Sequence, residues 1–253
     1  MATFRTSFFN KLLLFALTFS ALTFGACDPD ENSLGDFDFG PTDEEIVAGL
    51  KAALQVGTDS SVTTLNATDG YFKDPLVKIF LPPEADVIFD NLSTLGLQPL
   101  ADVTIERVNR AAEDAATEAT PIFVDAITNM TISDGKNILF GDSVAATTFL
   151  RDNTYEQLVT AFQPKIQTSL EKSIVLGISA DDSYNTLVNS YNTFAQIPFS
   201  GLDPVKETSL SAYTTRKGLD GLFLKVADEE RLIREDPIHR VLDILEKVFS
   251  QLD

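Results

Sequence analysis

Apolar positions recur along most of this chain at intervals of three and four, the repeat that lays one face of an α-helix against a core. The run from Glu106 to Arg151 shows it most densely. Ile105, Val108, Ala112, Ala115 and Ala119 form a stripe of mostly small side chains, which lets a neighbouring helix approach closely and predicts a central helix. The opposite face carries Glu106, Arg110 and Asp114, four apart and alternating in sign, which supports the helix modestly. Asn109 and Glu113 fall between the two faces, where burial obliges a polar side chain to find hydrogen-bond partners. Pro121 ends or kinks this helix. The next segment sets Ile122, Phe123, Ala126, Ile127 and Met130 at helical spacing, with Asp125 among them. Ser133 is placed to cap a further helix, Gly141 to stop it, and Asp142 or Ser143 to start another.

Elsewhere the same signals repeat. Thr42 to Glu45 is a capping box, opening a helix that carries Ile46, Val47, Leu50, Ala53 and Leu54. Gly57 and the Thr/Ser-rich residues after it predict a break. Asp69-Gly70 is a turn signal. Leu76 to Leu81, bounded by Pro75 and Pro82-Pro83, reads as a short extended segment. Pro83 suits the first position of a helix that Gly96 ends. From Asp152 to Ser173 a long helical pattern holds Tyr155, Leu158, Val159, Phe162, Ile166 and Leu170, with a kink expected at Pro164. Ile174 to Ala180 reads as a turn. A helix capped by Asp181 or Asp182 follows, with Tyr184, Leu187, Val188 and Tyr191 on one face. Leu219, Leu222, Phe223, Val226 and Ile233 mark another helix, which Asp236-Pro237 breaks. Ile238, Val241, Leu242, Leu245, Val248, Phe249 and Leu252 predict an amphipathic final helix. The fold class is therefore all-α: one bundle-like domain of short antiparallel helices over residues 43–253, with at most one extended segment near 76–81.

The N-terminus follows another logic. Residues 1–26 read as a targeting segment, with Arg5 and Lys11 ahead of an apolar run from Leu12 to Phe24. Its end, Phe24-Gly25-Ala26-Cys27, resembles a bacterial lipobox, with Phe where Leu is usual. The chain's one Cys lies where that reading requires the lipidated residue. Residues 27–42 are acidic and rich in Gly, Pro, Asp and Asn, the composition of a flexible tether spanning about 20 Å. The expected location is the bacterial envelope, lipid-anchored through Cys27, with the outer membrane favoured.

Composition narrows the chemistry. With 253 residues, 44% of them hydrophobic, the chain can bury a substantial core, to which its 19 Phe are expected to contribute much. A formal net charge of −19 disfavours nucleic acid, which phosphate repulsion keeps away. One Cys and one His exclude an intramolecular disulfide and a Cys/His metal cluster, so no metal or cofactor is expected. Asp28, Asp30 and Asn32 approximate a calcium loop, but Ser33 stands where glycine is required and Phe39 where the closing Glu belongs. No phosphate loop, dinucleotide fingerprint or nucleophile elbow occurs. His239 reads as a helix-edge residue rather than a triad base. In the run Asp228 to Glu235, Glu230 pairs with Arg234 and Arg231 with Glu235 at helical spacing, while Leu232 and Ile233 draw the run toward the core. A contact between Arg234 and Asn109, Glu113 or Asp220 would build a buried polar network. The candidate cluster is thus Asn109, Arg110, Glu113, Asp125, Asp220, Glu230 and Arg234, with no catalytic role assigned.

Three separated blocks, GYFKDPLVKIFLPPE, VNRAAEDAATEATPIFVDAITNMTISDGKNILFG and LDGLFLKVADEERLIREDP, resemble the bacterial envelope family known as domain of unknown function 4197 (DUF4197). The resemblance covers nearly everything after the tether. It implies an α-helical periplasmic or envelope domain, often on a lipoprotein or secreted precursor, and brings no activity, cofactor or catalytic residue. Asn109-Arg110 and Glu229-Glu230 lie inside these blocks. The functional expectation is a lipid-anchored envelope protein with a non-enzymatic binding or scaffolding role, its partner an envelope protein. The rivals are a carrier of a small apolar ligand in an interhelical pocket, and a hydrolase using the carboxylate and arginine cluster.

Overall fold

The computed structural model describes residues 40–82, 98–175, 178–198, 201 and 203–250. They fall in one compact unit, Gly40–Asp253. The targeting segment, Cys27, most of the tether and the helix expected after Pro83 lie outside the described residues.

Helix α1 (Asp43–Asn66) opens on the expected capping box: Glu45 N–H donates to Thr42 Oγ1 at 3.2 Å, and Thr42 N–H to Glu45 Oε2 at 2.9 Å. It does not break at Gly57. Thr58 and Ser61 turn their hydroxyls back onto the carbonyls of Leu54 and Gly57, so both stay satisfied inside a buried helix. Gly57 gives a later helix room to approach, since a Cβ there would lie 3.4 Å from that of Glu229.

Helix α2 (Gln98–Ala116) presents the predicted small-residue face, and Val108, Ala111, Ala112, Ala115 and Ala116 are fully buried. The break comes earlier than Pro121, at Thr117-Glu118, and α3 (Ala119–Thr128) starts there. Pro121 cannot donate to the Thr117 carbonyl, which takes the tighter bond from Thr120 N–H instead. The proline thus sits in the first turn of α3, where a missing donor costs little.

Helix α4 (Ile132–Leu139) is capped by Thr131, not Ser133; Thr131 and Asp134 close a capping box at 3.2 and 3.0 Å. Helix α5 (Ala145–Leu170) starts at neither Asp142 nor Ser143 and has no side-chain cap from its own N-terminus, and Pro164 lies within it. The turn expected from Ile174 is a small antiparallel hairpin, β1 (Ser173–Val175) with β2 (Ile178–Ser179), leading into α6 (Ala180–Ala195).

Helix α7 (Leu210–Glu235) ends before Asp236-Pro237 as predicted. The final amphipathic helix is shorter than its pattern, because α8 is Asp243–Phe249 only. Ile238, Val241 and Leu242 are exposed, while Arg240 turns inward and donates to the terminal carbonyls of α7, Ile233 O at 3.2 Å and Arg234 O at 2.9 Å. That cap competes with continuing the helix through residue 240.

Helix α5 packs between α2 and α7, and α1 packs on α3, α4, α7 and α8. Phe123 meets Phe223 edge-on at 6.0 Å, and Tyr155 stacks on Phe223 at 6.4 Å. The core is otherwise chiefly aliphatic and alanine, since only Phe123, Phe162, Phe223 and Phe249 are buried phenylalanines among the described residues.

Candidate functional site

The seven polar residues singled out by sequence do not form one network. Asn109, Arg110 and Glu113 gather on one face of α2, Glu230 and Arg234 on α7, and the other two stand apart. Among the described residues the Asp125 side chain accepts from Asn129 alone, at 3.3 Å on the surface. Asp220 is half-exposed between Arg151 at 3.3 Å and Lys217 at 3.7 Å.

The first cluster fastens the segment after α1 onto α2. Asp69 takes the left-handed conformation, at φ +72°, and Gly70 follows where a Cβ would strike the Thr64 carbonyl oxygen at 2.3 Å. This corner turns Tyr71 into the core, where it is fully buried and donates its hydroxyl to Gly218 O at 2.7 Å. Burial, with the neighbouring Glu113 charge, holds the Tyr71 phenol well above its usual range. Glu113 Oε1 accepts from the N–H groups of Tyr71 and Phe72 at 3.1 and 3.2 Å, and its Oε2 accepts from Arg110 at 2.8 Å. Arg110 also reaches Asp69 at 2.7 Å. Glu113, then Asp69, fixes the Arg110 proton more firmly than usual, while Lys73 and then Arg110 hold the Asp69 carboxyl below the usual carboxylate range.

One turn earlier, Asn109 acts as a strand partner. Its Oδ1 accepts from Ile79 N–H and its Nδ2 donates to Ile79 O, both at 2.8 Å. Val77, Ile79 and Leu81 are buried while Leu76 and Phe80 stand 68% and 59% exposed, the alternation of an extended segment. The segment predicted near 76–81 is therefore turned at 75–77 and extended beyond, with a side-chain amide in place of a neighbouring strand.

The second cluster holds the corner between α4 and α5. Glu230 Oε1 accepts from Ala146 N–H at 3.0 Å, and its Oε2 from Thr147 N–H and hydroxyl, both at 2.8 Å. The carboxylate thereby supplies the cap that α5 lacks. Arg234 donates to Glu230 at 2.9 Å and to the end of α4, Ile138 O at 2.7 Å and Leu139 O at 3.2 Å. Its donors go to these groups rather than to Asn109, Glu113 or Asp220. Each charge sits at the helix end whose partial charge it opposes.

His239 pairs with Asp236 at 3.0 Å on an exposed edge, as the sequence suggested. Among the described residues no His/Cys/Asp/Glu group is arranged to hold a metal ion. No helix among them is long and apolar enough to cross a membrane.

Among the described residues, a polar hollow of about 290 Å³ lies between α3, α4 and α5 beside Asp125, Asn129 and Asn153, and two further, more apolar spaces bear on ligand binding. The cavity among α1, α4, α5, α7 and α8, beside Leu50, Gly57, Val226 and Phe249, has about 30 Å³, room for a single water. A groove of about 660 Å³ runs between the 76–81 segment and one face of α7, Tyr213, Lys217, Asp220, Gly221 and Leu224. It bears the exposed side chains of Leu76, Phe80 and Leu224. Sequence reasoning missed this groove. Its α7 wall follows the spacing of an ordinary solvent face, and only the apolar residues outside the buried alternation, Leu76 and Phe80, signalled it.

These observations define an all-α domain whose buried charges serve its backbone. A family model matches residues 40–250, and the chain belongs to that family, described as protein of unknown function (DUF4197). No curated protein and no solved structure matches the chain.

Proposed function

We propose that this is a lipid-anchored envelope protein whose helical domain binds a protein partner without chemistry of its own. The observation that carries the reading is the groove between residues 76–81 and α7. It is a pre-formed apolar surface on a scaffold that spends Asn109 on holding one of its walls, and Glu113 and Arg110 on the corner that leads into that wall. The same geometry weakens the hydrolase reading, because the carboxylates Glu113 and Glu230 are taken up by backbone N–H groups and arginines. The carrier reading narrows to this open groove, since the interhelical cavity is the size of one water. The anchor rests on the lipobox-like end at Cys27.

A photo-crosslinking residue at Phe80 of the full-length protein, expressed in its own cells, tests the binding role. A discrete protein adduct at Phe80, absent from a control at exposed Ile197, is the expected result. A small-molecule adduct alone would favour the carrier, and no adduct would refute the reading. For the anchor, Cys27→Ser abolishes lipid attachment and moves the protein from the detergent phase to the aqueous phase; unchanged partitioning would overturn that assignment.

A further inference from the structure

We infer that the groove takes an extended acidic peptide of a partner protein, added as a β-strand at the free backbone edge of Phe80; this rests on the binding role proposed above. In an extended segment successive residues direct their N–H and C=O groups to opposite edges. Ile79 gives both of its groups to Asn109, at 2.8 Å each, so that edge is closed. The same alternation turns the N–H and C=O of Phe80 away from Asn109; the Lys78 N–H on that edge is taken by Asp74 O at 2.9 Å, while those of Phe80 have no partner among the described residues. An incoming strand finds there the paired donor and acceptor that strand addition uses.

Side chains and charge define what that strand carries. Leu76 and Phe80 are exposed on one wall, and Leu224, 41% exposed, stands on the other, so alternate residues of the peptide meet apolar surface. The protein as a whole is strongly acidic, with a net charge of −19, yet the groove is locally cationic. Its lining carboxylate, Asp220, is shared by Arg151 and Lys217. Lys78 has no carboxylate partner among the described residues; its ammonium rests 4.4 Å from the Phe72 ring and 5.6 Å from that of Phe80. At groove distances these cations outweigh the overall charge, which salt screens beyond about 10 Å. A carboxylate beside an apolar side chain satisfies both features.

The rigid mounting supports the same conclusion. Asn109 and Glu113 lie one turn apart on α2, and between them they fix Tyr71, Phe72 and Ile79. The edge is therefore held in strand conformation before any partner arrives, which reduces the ordering cost of binding.

The test measures binding of the full chain in detergent to the synthetic peptide acetyl-Asp-Val-Glu-Val-Asp-amide, by fluorescence anisotropy. Phe80→Pro removes the free N–H and keeps an extended backbone, while Phe80→Ala removes the side chain alone. Circular dichroism of both variants checks that they remain folded. Binding is expected to weaken about tenfold more in Phe80→Pro than in Phe80→Ala, and methylating one backbone nitrogen face of the peptide should produce a similar loss. Lys78→Glu with Lys217→Glu should exchange the preference for the acidic peptide for its lysine counterpart. If the peptide fails to bind, or binds Phe80→Pro as well as Phe80→Ala, the strand inference is overturned. A protein adduct at Phe80 would then still uphold the binding role, so the two failures are distinguishable.

Discussion

Replacing Glu230 by alanine removes the acceptor for Ala146 N–H, Thr147 N–H, the Thr147 hydroxyl and the Arg234 guanidinium in one step. A bond to a charged group contributes about 1.5–3 kcal/mol, and a sum over these contacts overshoots, because the first turn of α5 can fray and admit water. The better guide is the cost of breaking a buried pair from one side, about 3–5 kcal/mol, since the Arg234 side chain, only 9% exposed, is left without its counter-charge. In a domain of this size that lowers Tm by about 6–20 °C. Arg234→Ala should cost less, about 2–3 kcal/mol, because Glu230 loses the guanidinium but keeps its three donors on Ala146 and Thr147, and the Ile138 and Leu139 carbonyls are the other groups that lose a partner. The double variant should then be milder than the sum by about 1–3 kcal/mol. Urea unfolding followed by circular dichroism, on a Cys27→Ser background, measures all three. A Glu230→Ala loss below about 1 kcal/mol, or simple additivity, would refute the clamp as a coupled unit.

Asn109→Leu keeps the volume and strips the bracket from Ile79, so it should cost about 2–4 kcal/mol and raise hydrogen exchange at the Ile79 amide; unchanged protection there would count against the strand-partner role. Tyr71 has its folded pKa raised by burial, so its contribution is complete below the unfolded phenol value near pH ~10 and is lost as pH rises above it. The urea midpoint should fall through that alkaline window, and Tyr71→Phe should flatten the fall; identical pH profiles would contradict the assignment. Thr214 is fully buried with its hydroxyl unpartnered, so Thr214→Val should stabilise the fold by about 1 kcal/mol, and a destabilised variant would mean that the hydroxyl has a role.

Helical spacing carried most of the architecture: the alanine face of α2, the capping box of α1 and the stop before Pro237 are all where the pattern puts them. What it misplaced were decisions made by distant residues. Gly57 looks like a break until α7 lies against it. Residues 238–242 look like helix until Arg240 finds the end of α7. For the polar residues, the burial of Asn109 and Glu113 was legible from their place beside the alanines. Their partners were not, because these are backbone groups at residues 71, 72 and 79, which display no signature of their own. The expected meeting of Arg234 with that cluster failed for the same reason: open carbonyls at the end of α4 were the nearer acceptors.

Helices α1 and α4 take their N-terminal caps from the threonine just before each of them, so each can be defined as soon as its own first turn exists. Helix α5 takes its cap from a residue 84 positions further along the chain. Closing so long a loop is entropically expensive before any contact rewards it, which places the start of α5 among the last parts to settle as the protein folds. Until α7 docks, the 26-residue helix that it packs against lacks the carboxylate that caps its first turn, and the corner before it is held by its local bonds alone, Val144 N–H to Asp142 Oδ1 and Ala145 N–H to Asp142 O. The amides of the first turn of α5 are therefore expected to gain protection from hydrogen exchange only when α7 docks, after those of α1 and α4.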